Sequence, residues 1–121
     1  MKKVFMTLAL VVLAFGLSQC TKDSEEALSG GECLTENMSY SQDISAILDI
    51  KCNACHSTSS RFGGVILDNY DDVSTYANNG KLSCTIEHAS GCEPMPQGSD
   101  QISQCNIDKI NAWINDGAQN N

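Results

Sequence analysis

Two thiols and an imidazole stand together in the run Cys52-Asn53-Ala54-Cys55-His56. The two-residue gap lets both thiols bond as thioethers to the two vinyl groups on one edge of a porphyrin, while the adjoining imidazole binds the iron. Each residue type in this CxxCH motif has its own chemical role. The motif therefore predicts one covalently attached haem c, with its iron, held by Cys52, Cys55 and His56.

Two other chemistries use the same residue types. A CxxC pair can be a thioredoxin-like redox couple, but that site belongs to a βαβ setting, which this sequence does not show. Cys84, His88 and Cys92 fall at i, i+4 and i+8, so on one helix they could present ligands to zinc. Gly91 and Pro94 disfavour a helix there. A structural zinc module stays open as an alternative without haem.

Iron bound by one histidine takes a ligand on its other face, commonly a methionine or a second histidine in electron-transfer haems. Outside the apolar segment at the beginning of the chain, the candidates for this second ligand are Met38, His88 and Met95. Met95 lies in Glu93-Pro94-Met95-Pro96, where the prolines stiffen the loop, and it is the ligand we expect. His88 would instead give a bis-histidine site; otherwise it hydrogen-bonds near the haem edge. Met38 is expected in a core or surface role.

Three stretches carry apolar residues at helical spacing, and no alternating run is long enough to suggest a sheet. Helices are predicted over 41–51, 71–78 and 104–116, the first running directly into the CxxCH motif. The stretches 57–69 and 82–102 have loop composition, which is a great deal of irregular chain for a small domain. A large prosthetic group that completes the core would account for this excess.

The beginning of the chain has the layout of an export signal. Lys2 and Lys3 precede an uncharged apolar run over 4–17, which is too short to span a bilayer stably. The run ends in Leu17-Ser18-Gln19-Cys20, which resembles a bacterial lipoprotein signal, although Gln19 departs from the small residue usual there. We expect acylation of Cys20; the alternative is an ordinary signal peptide with Cys20 as an incidental thiol.

The predicted organisation is a signal peptide over 1–19, a lipidated flexible tether over 20–32 and a folded domain over 33–121. Removal of 1–19 takes away two lysines and no acidic residue, so the formal net charge falls from −8 to −10. An acidic surface argues against nucleic acid and anionic lipid as partners and favours basic docking patches on redox proteins. Membrane attachment would then depend on the acyl chains at Cys20.

From Cys33 to Ala118 the chain resembles the small monohaem cytochrome c domains of exported proteins from Bacteroidetes and related bacteria. The matching residues are Ile44 to Leu48 ahead of Cys52 to His56, Gly63-Gly64 with Leu67, Leu82, Ile86 and His88 ahead of Met95-Pro96, and Ile110, Trp113, Ile114 and Gly117-Ala118. The resemblance implies an all-α cytochrome c fold, with three to four helices around one haem and long loops. It also implies that Cys52, Cys55, His56 and Met95 are the haem residues.

The family pattern carries further expectations for the packing. In such folds the first and last helices cross, usually with a glycine of the first against an aromatic residue of the last; here Trp113 fits, but Ile44 stands in the glycine place. Many relatives also use a proline carbonyl to accept from the free ring nitrogen of the histidine ligand. No proline lies between His56 and Pro94, so we expect a backbone carbonyl within 62–65 instead.

Four cysteines remain in the predicted domain, and outside the cytoplasm they are expected to pair. Four thiols allow three connectivities. Relatives often have cysteines at the places of Cys33 and Cys105, which favours that pair and leaves Cys84 with Cys92. The second pair is not general in the family and would brace the loop that carries Met95.

Histidine and methionine ligation fills both axial positions and favours ferrous iron relative to two histidines. The expected activity is therefore one-electron transfer by an exported protein, anchored to a membrane and facing the periplasm or the cell surface, and not an enzyme reaction. The alternative is a haem that binds or senses a small ligand when Met95 or His88 leaves the iron. The zinc module is the third reading.

Overall fold

Helices dominate the architecture. The computed structural model describes residues 32–121, and Cys33–Asn121 form one compact unit. The helices are Ser45–Lys51 (α1), Asn53–His56 (α2), Tyr70–Asn78 (α3), Lys81–Ile86 (α4) and Gln104–Asn115 (α5), with a π-helical turn at Tyr40–Ile44 and a 3-10 turn at Phe62–Gly64. No strand occurs within residues 32–121, so the predicted all-α class is confirmed. The predicted signal peptide, the acylated Cys20 and nearly all of the tether lie outside the described residues.

The best-defined helix of the sequence pattern, α5, forms where its cap predicts. The Ser103 hydroxyl accepts a hydrogen bond from the Asn106 backbone N–H at 3.3 Å. Beyond the helix, Gly117 adopts φ +96°, a left-handed conformation that glycine adopts at little cost. One face of α5 is buried and packs against α4 and the π-helical turn. This helix therefore forms one side of the core.

The π-helical turn and α1 run together as the first helical segment, which ends at the CxxCH motif. Asn121 holds the start of this segment, because its side-chain Oδ1 accepts from the Tyr40 N–H at 2.9 Å and its backbone oxygen accepts from Ser41 N–H at 3.0 Å. The Tyr40 ring lies 5.6 Å from the Trp113 ring, centroid to centroid. Ile44 is fully buried at the end of the wider π-helical turn.

Helix α4 corrects one prediction. The sequence reads as loop throughout 82–102, but Lys81–Ile86 is helical. Leu82 and Ile86, four residues apart, are both buried in the core, so tertiary packing stabilises a helix too short to give a clear periodic signal. Helix α3 packs against α4, and Asn69 caps it by accepting from the Asp72 N–H at 3.0 Å. The helix that precedes the Met95 loop thus belongs to the core.

Two disulfides close the chain on itself. Cys33 is bonded to Cys105 with a Cα–Cα distance of 5.6 Å, and Cys84 to Cys92 with 5.9 Å. These are the two pairs expected from the sequence. The first ties the beginning of the unit to the first turn of α5, and the second spans only the end of α4 and the turn after it. Within residues 32–121 no helix is long and apolar enough to cross a membrane.

Candidate functional site

The CxxCH motif occupies a single helical turn. Cys52 interrupts the helix with φ −125°, and the chain resumes at once as α2. The backbone oxygen of Cys52 accepts from Cys55 N–H at 3.1 Å and from His56 N–H at 3.0 Å. The i, i+3, i+4 spacing on this turn brings the two thiols and the imidazole to the same side of it. Asn53 Nδ2 donates to Asp49 Oδ1 at 2.6 Å and ties the turn back to α1.

The two motif thiols are free, whereas the other four described cysteines are in disulfides. Cys55 is exposed and Cys52 is half-buried. Burial raises the pKa of the Cys52 thiol to about 11, because a thiolate would lose solvation there. At neutral pH Cys52 is therefore a protonated thiol and a weak nucleophile. Both sulfurs remain available for a bond to another group.

The imidazole of His56 is not committed to a structural hydrogen bond. Its Nδ1 is buried and has no hydrogen-bond partner. The bond we expected from this nitrogen to a carbonyl within 62–65 is thus absent; the Phe62 carbonyl instead accepts from Val65 N–H at 3.3 Å. This nitrogen is the one that would not bind the iron, because the expected carbonyl bond is made by the free ring nitrogen of the histidine ligand. The donor set that fits a c-type haem is the pair of free thiols of Cys52 and Cys55 beside the imidazole of His56.

The chain after the motif forms a closed loop. Leu67 N–H donates to the His56 carbonyl at 2.6 Å, which brings the far end of the loop back to α2. One residue further on, the Asp68 carboxylate accepts from Thr58 N–H at 2.6 Å and from the Thr58 hydroxyl at 2.9 Å. The backbone bond from Thr58 holds the pKa of Asp68 below its ordinary value. The loop that begins at His56 is therefore fixed at both ends.

Acid is expected to release this contact. Because the pKa of Asp68 is lowered in the folded state, its contribution to loop closure is complete above about pH 3.9 and is lost as pH falls through the lowered pKa. In a pH titration by NMR, the Thr58 amide should shift with a midpoint below the ordinary aspartate value, and Asp68→Asn should remove this transition. A midpoint at or above the ordinary value would contradict the assignment.

Met95 lies in the loop between α4 and α5, and its backbone is held at both ends. Its N–H donates to the Thr85 carbonyl at 3.0 Å, and its own carbonyl lies 3.1 Å from Nε2 of His88. Thr85 and His88, the two residues that hold Met95, both lie in the segment closed by the Cys84–Cys92 disulfide. Met95 itself is half-buried. Met38, by contrast, is 8% exposed and belongs to the hydrophobic core, in the structural role expected for it.

Exposed apolar side chains flank the motif in the chain. Ile50, two residues before Cys52, is 75% exposed, and Phe62, in the 3-10 turn that packs against α2, is 61% exposed. Most large apolar residues of the unit are buried, and Leu34, near the beginning of the unit, is the third exception at 70% exposed. The positions of Ile50 and Phe62 near the motif suit a surface covered by a bound apolar group. A separate groove of about 360 Å³ is lined by other residues, namely Asn37, Met38, Trp113, Asp116, Gln119 and Asn121. None of the predicted haem residues contributes to that groove.

The zinc alternative loses its ligands. Cys84 and Cys92 are bonded to each other, so neither can supply a thiolate to a metal alongside His88.

Sequence reasoning missed Thr85, whose carbonyl accepts from both His88 N–H at 3.3 Å and Met95 N–H. No side-chain pattern could have indicated it, because a backbone carbonyl acts there.

The described residues thus form an all-α, disulfide-linked unit that presents a CxxCH turn and a methionine on a braced loop. Comparison of the chain with protein-family models, with curated proteins and with solved structures finds no match.

Proposed function

We propose that this protein is an exported c-type cytochrome that transfers single electrons through one haem bound to Cys52, Cys55 and His56, with Met95 as the second axial ligand. The observation that carries the proposal is the CxxCH turn itself. Its two thiols are free although the other four described cysteines are paired, and its histidine follows directly on the same helical turn. This combination suits one covalently held cofactor.

Each side chain has a defined part in holding the haem. The thiols of Cys52 and Cys55 would each hold the haem by a thioether bond, formed when S–H adds across a vinyl double bond, so no outside oxidant is needed. His56 would supply a ring nitrogen to the iron. The bound haem would supply a metal centre that cycles between ferric and ferrous states. Covalent attachment keeps it in place when the iron changes charge.

Met95 is favoured over His88 as the second ligand by the contacts of the loop. The backbone of Met95 is fixed by Thr85 and His88, whereas Nε2 of His88 is already bonded to the Met95 carbonyl. A thioether is neutral and soft, which stabilises ferrous iron and raises the reduction potential relative to a second imidazole. If His56 and Met95 both bind the iron, electron transfer is favoured over substrate chemistry. A haem that binds a small ligand instead would show a large, fast spectral change with carbon monoxide.

The cellular setting of the proposal comes from the sequence. Attachment of haem c outside the cytoplasm agrees with an export signal and with two disulfides in the described unit. A lipid at Cys20 would hold the protein at a bacterial membrane. The strongly acidic composition favours redox partners with basic docking patches and disfavours nucleic acid.

Replacing Met95 tests the axial ligand. The ferric holoprotein should show the weak near-infrared sulfur-to-iron band, and Met95→Leu should abolish it while retaining covalent haem, because leucine has no donor atom. Met38→Leu is the matched control: it replaces a buried core methionine by a residue of similar volume and should keep the band. A wild-type protein without the band, or a Met95→Leu protein that keeps it, would remove Met95 from the iron.

A further inference from the structure

We propose that His88 is a positioning residue for the axial methionine: its imidazole holds the Met95 carbonyl and thereby directs the thioether toward the iron. The inference rests on the proposed haem ligation by Met95. The sequence alone leaves two roles open for His88, a rival ligand or a hydrogen-bonding residue near the haem edge, and the inference makes it the support of the methionine ligand.

The direction of the hydrogen bond follows from its atoms. Nε2 of His88 lies 3.1 Å from the backbone oxygen of Met95, and a carbonyl oxygen can only accept. Nε2 must therefore carry a proton and donate. On the other side of the same residue, Met95 N–H donates to the Thr85 carbonyl. Both peptide groups of Met95 are thus anchored, and Pro94 and Pro96 restrict the backbone on either side.

His88 is itself held in place. It adopts φ +51°, a left-handed conformation that histidine takes more readily than most residues, and its N–H donates to the Thr85 carbonyl at 3.3 Å. It lies within the turn closed by the Cys84–Cys92 disulfide. A support that is fixed in this way can fix the residue to which it is bonded.

The support is also connected to the core. Ser83 in α4 donates its hydroxyl proton to Asn111 Oδ1 at 2.7 Å, and Asn111 Nδ2 donates to Glu87 Oε1 at 2.5 Å. Asn111 belongs to α5, the helix that forms one side of the core. The turn that carries His88 is therefore bound through α4 to α5.

The occupied Nε2 also explains why His88 would not bind the iron through this atom. Coordination needs an unprotonated ring nitrogen, whereas the bond to Met95 needs Nε2 to be protonated. A His88 that bound the iron through Nε2 would have to give up its hydrogen bond to the Met95 carbonyl. The same hydrogen bond thus supports methionine as ligand and disfavours coordination by Nε2 of His88.

The test compares His88→Leu with His88→Gln in the haem-loaded protein. Leucine and glutamine are similar in size, and the left-handed backbone conformation at position 88 is similarly unfavourable for both, but only glutamine can donate a hydrogen bond to the Met95 carbonyl. The measured quantity is the concentration of added imidazole that displaces the methionine from ferric iron, followed by the near-infrared band. His88→Leu should lower it about three- to tenfold, the effect of one lost hydrogen bond. His88→Gln should stay nearer to wild type than His88→Leu.

Glu93→Gln, an exposed change in the same loop, is the control and should match wild type. Equal displacement in the leucine variant and in wild type would overturn the role of His88 while leaving the proposed function intact. A wild-type protein with covalent haem but without the sulfur-to-iron band, in which His88→Leu changes the iron ligation, would make His88 the ligand and also overturn it. Absence of covalent haem altogether would contradict the proposed function itself.

A second measurement does not depend on the variants. In the ferrous wild-type protein, NMR should show that Nε2 of the His88 ring carries a proton. A ring protonated only at Nδ1 would overturn the inference even if His88→Leu failed to fold.

Discussion

A protein in which Cys52 and Cys55 are both replaced by alanine is expected to contain no covalently bound haem. The two thiols are the only unpaired ones among the described residues, so no other sulfur there can form the thioether bonds. Any haem that still binds would be held by His56 and Met95 alone and should be removed by acidic organic solvent. Intact mass after denaturation and haem staining of a denaturing gel measure the covalent fraction.

The matched control also removes two cysteines. Cys84→Ser with Cys92→Ser breaks the disulfide of the Met95 loop but leaves the CxxCH turn untouched, and it should retain covalent haem in every folded molecule. If the alanine pair carried as much covalent haem as wild type, the attachment site would lie elsewhere. If the serine variant folded but lost its covalent haem, attachment would depend on Cys84 and Cys92, which contradicts the proposal.

Removal of the Cys33–Cys105 disulfide should have the largest effect on stability. The bond joins residues separated by 72 positions, so in the unfolded chain it closes a long loop and restricts it strongly. The loop-closure estimate is a loss of about 4 kcal/mol in the free energy of unfolding, a large part of the total for a small domain. Denaturant unfolding of the haem-loaded Cys33→Ser, Cys105→Ser protein measures it.

The Cys84–Cys92 bond provides the comparison. It spans only 8 positions, so its removal should cost about 2.5 kcal/mol by the same estimate. The two double-serine proteins should therefore rank with the longer loop costing more. An equal loss in both, or a larger loss on removing the short-range bond, would show that local contacts and not loop length determine their contributions.

The sequence predicts the long helices because their signals are local. Ser103 and the apolar face that includes Ile107, Ile110 and Trp113 define α5 from cap to core, and the structure places the helix at Gln104–Asn115. The predicted helix over 71–78 is observed as Tyr70–Asn78. Caps and periodic apolar residues act over one or two turns, so they can be recognised without knowledge of the fold.

The features that the sequence could not show depend on contacts between distant residues. Helix α4 forms because Leu82 and Ile86 are buried in the core. A stretch of six residues is too short for its apolar spacing to predict a helix. At the site, Thr85 acts through its backbone carbonyl, which has no signature in residue type. The unpaired Nδ1 of His56 was unforeseen for a related reason, because the orientation of carbonyls in the following loop is set by its fold.

The central claim is tested most directly by the purified wild-type protein, produced in cells that contain the haem-attachment machinery. Intact mass should show the chain plus one haem, and the pyridine haemochrome spectrum should be that of a haem with two thioether bonds. Peptide mapping should place both bonds on Cys52 and Cys55. A correctly processed, folded protein that is colourless and has the mass of the polypeptide alone would contradict the account.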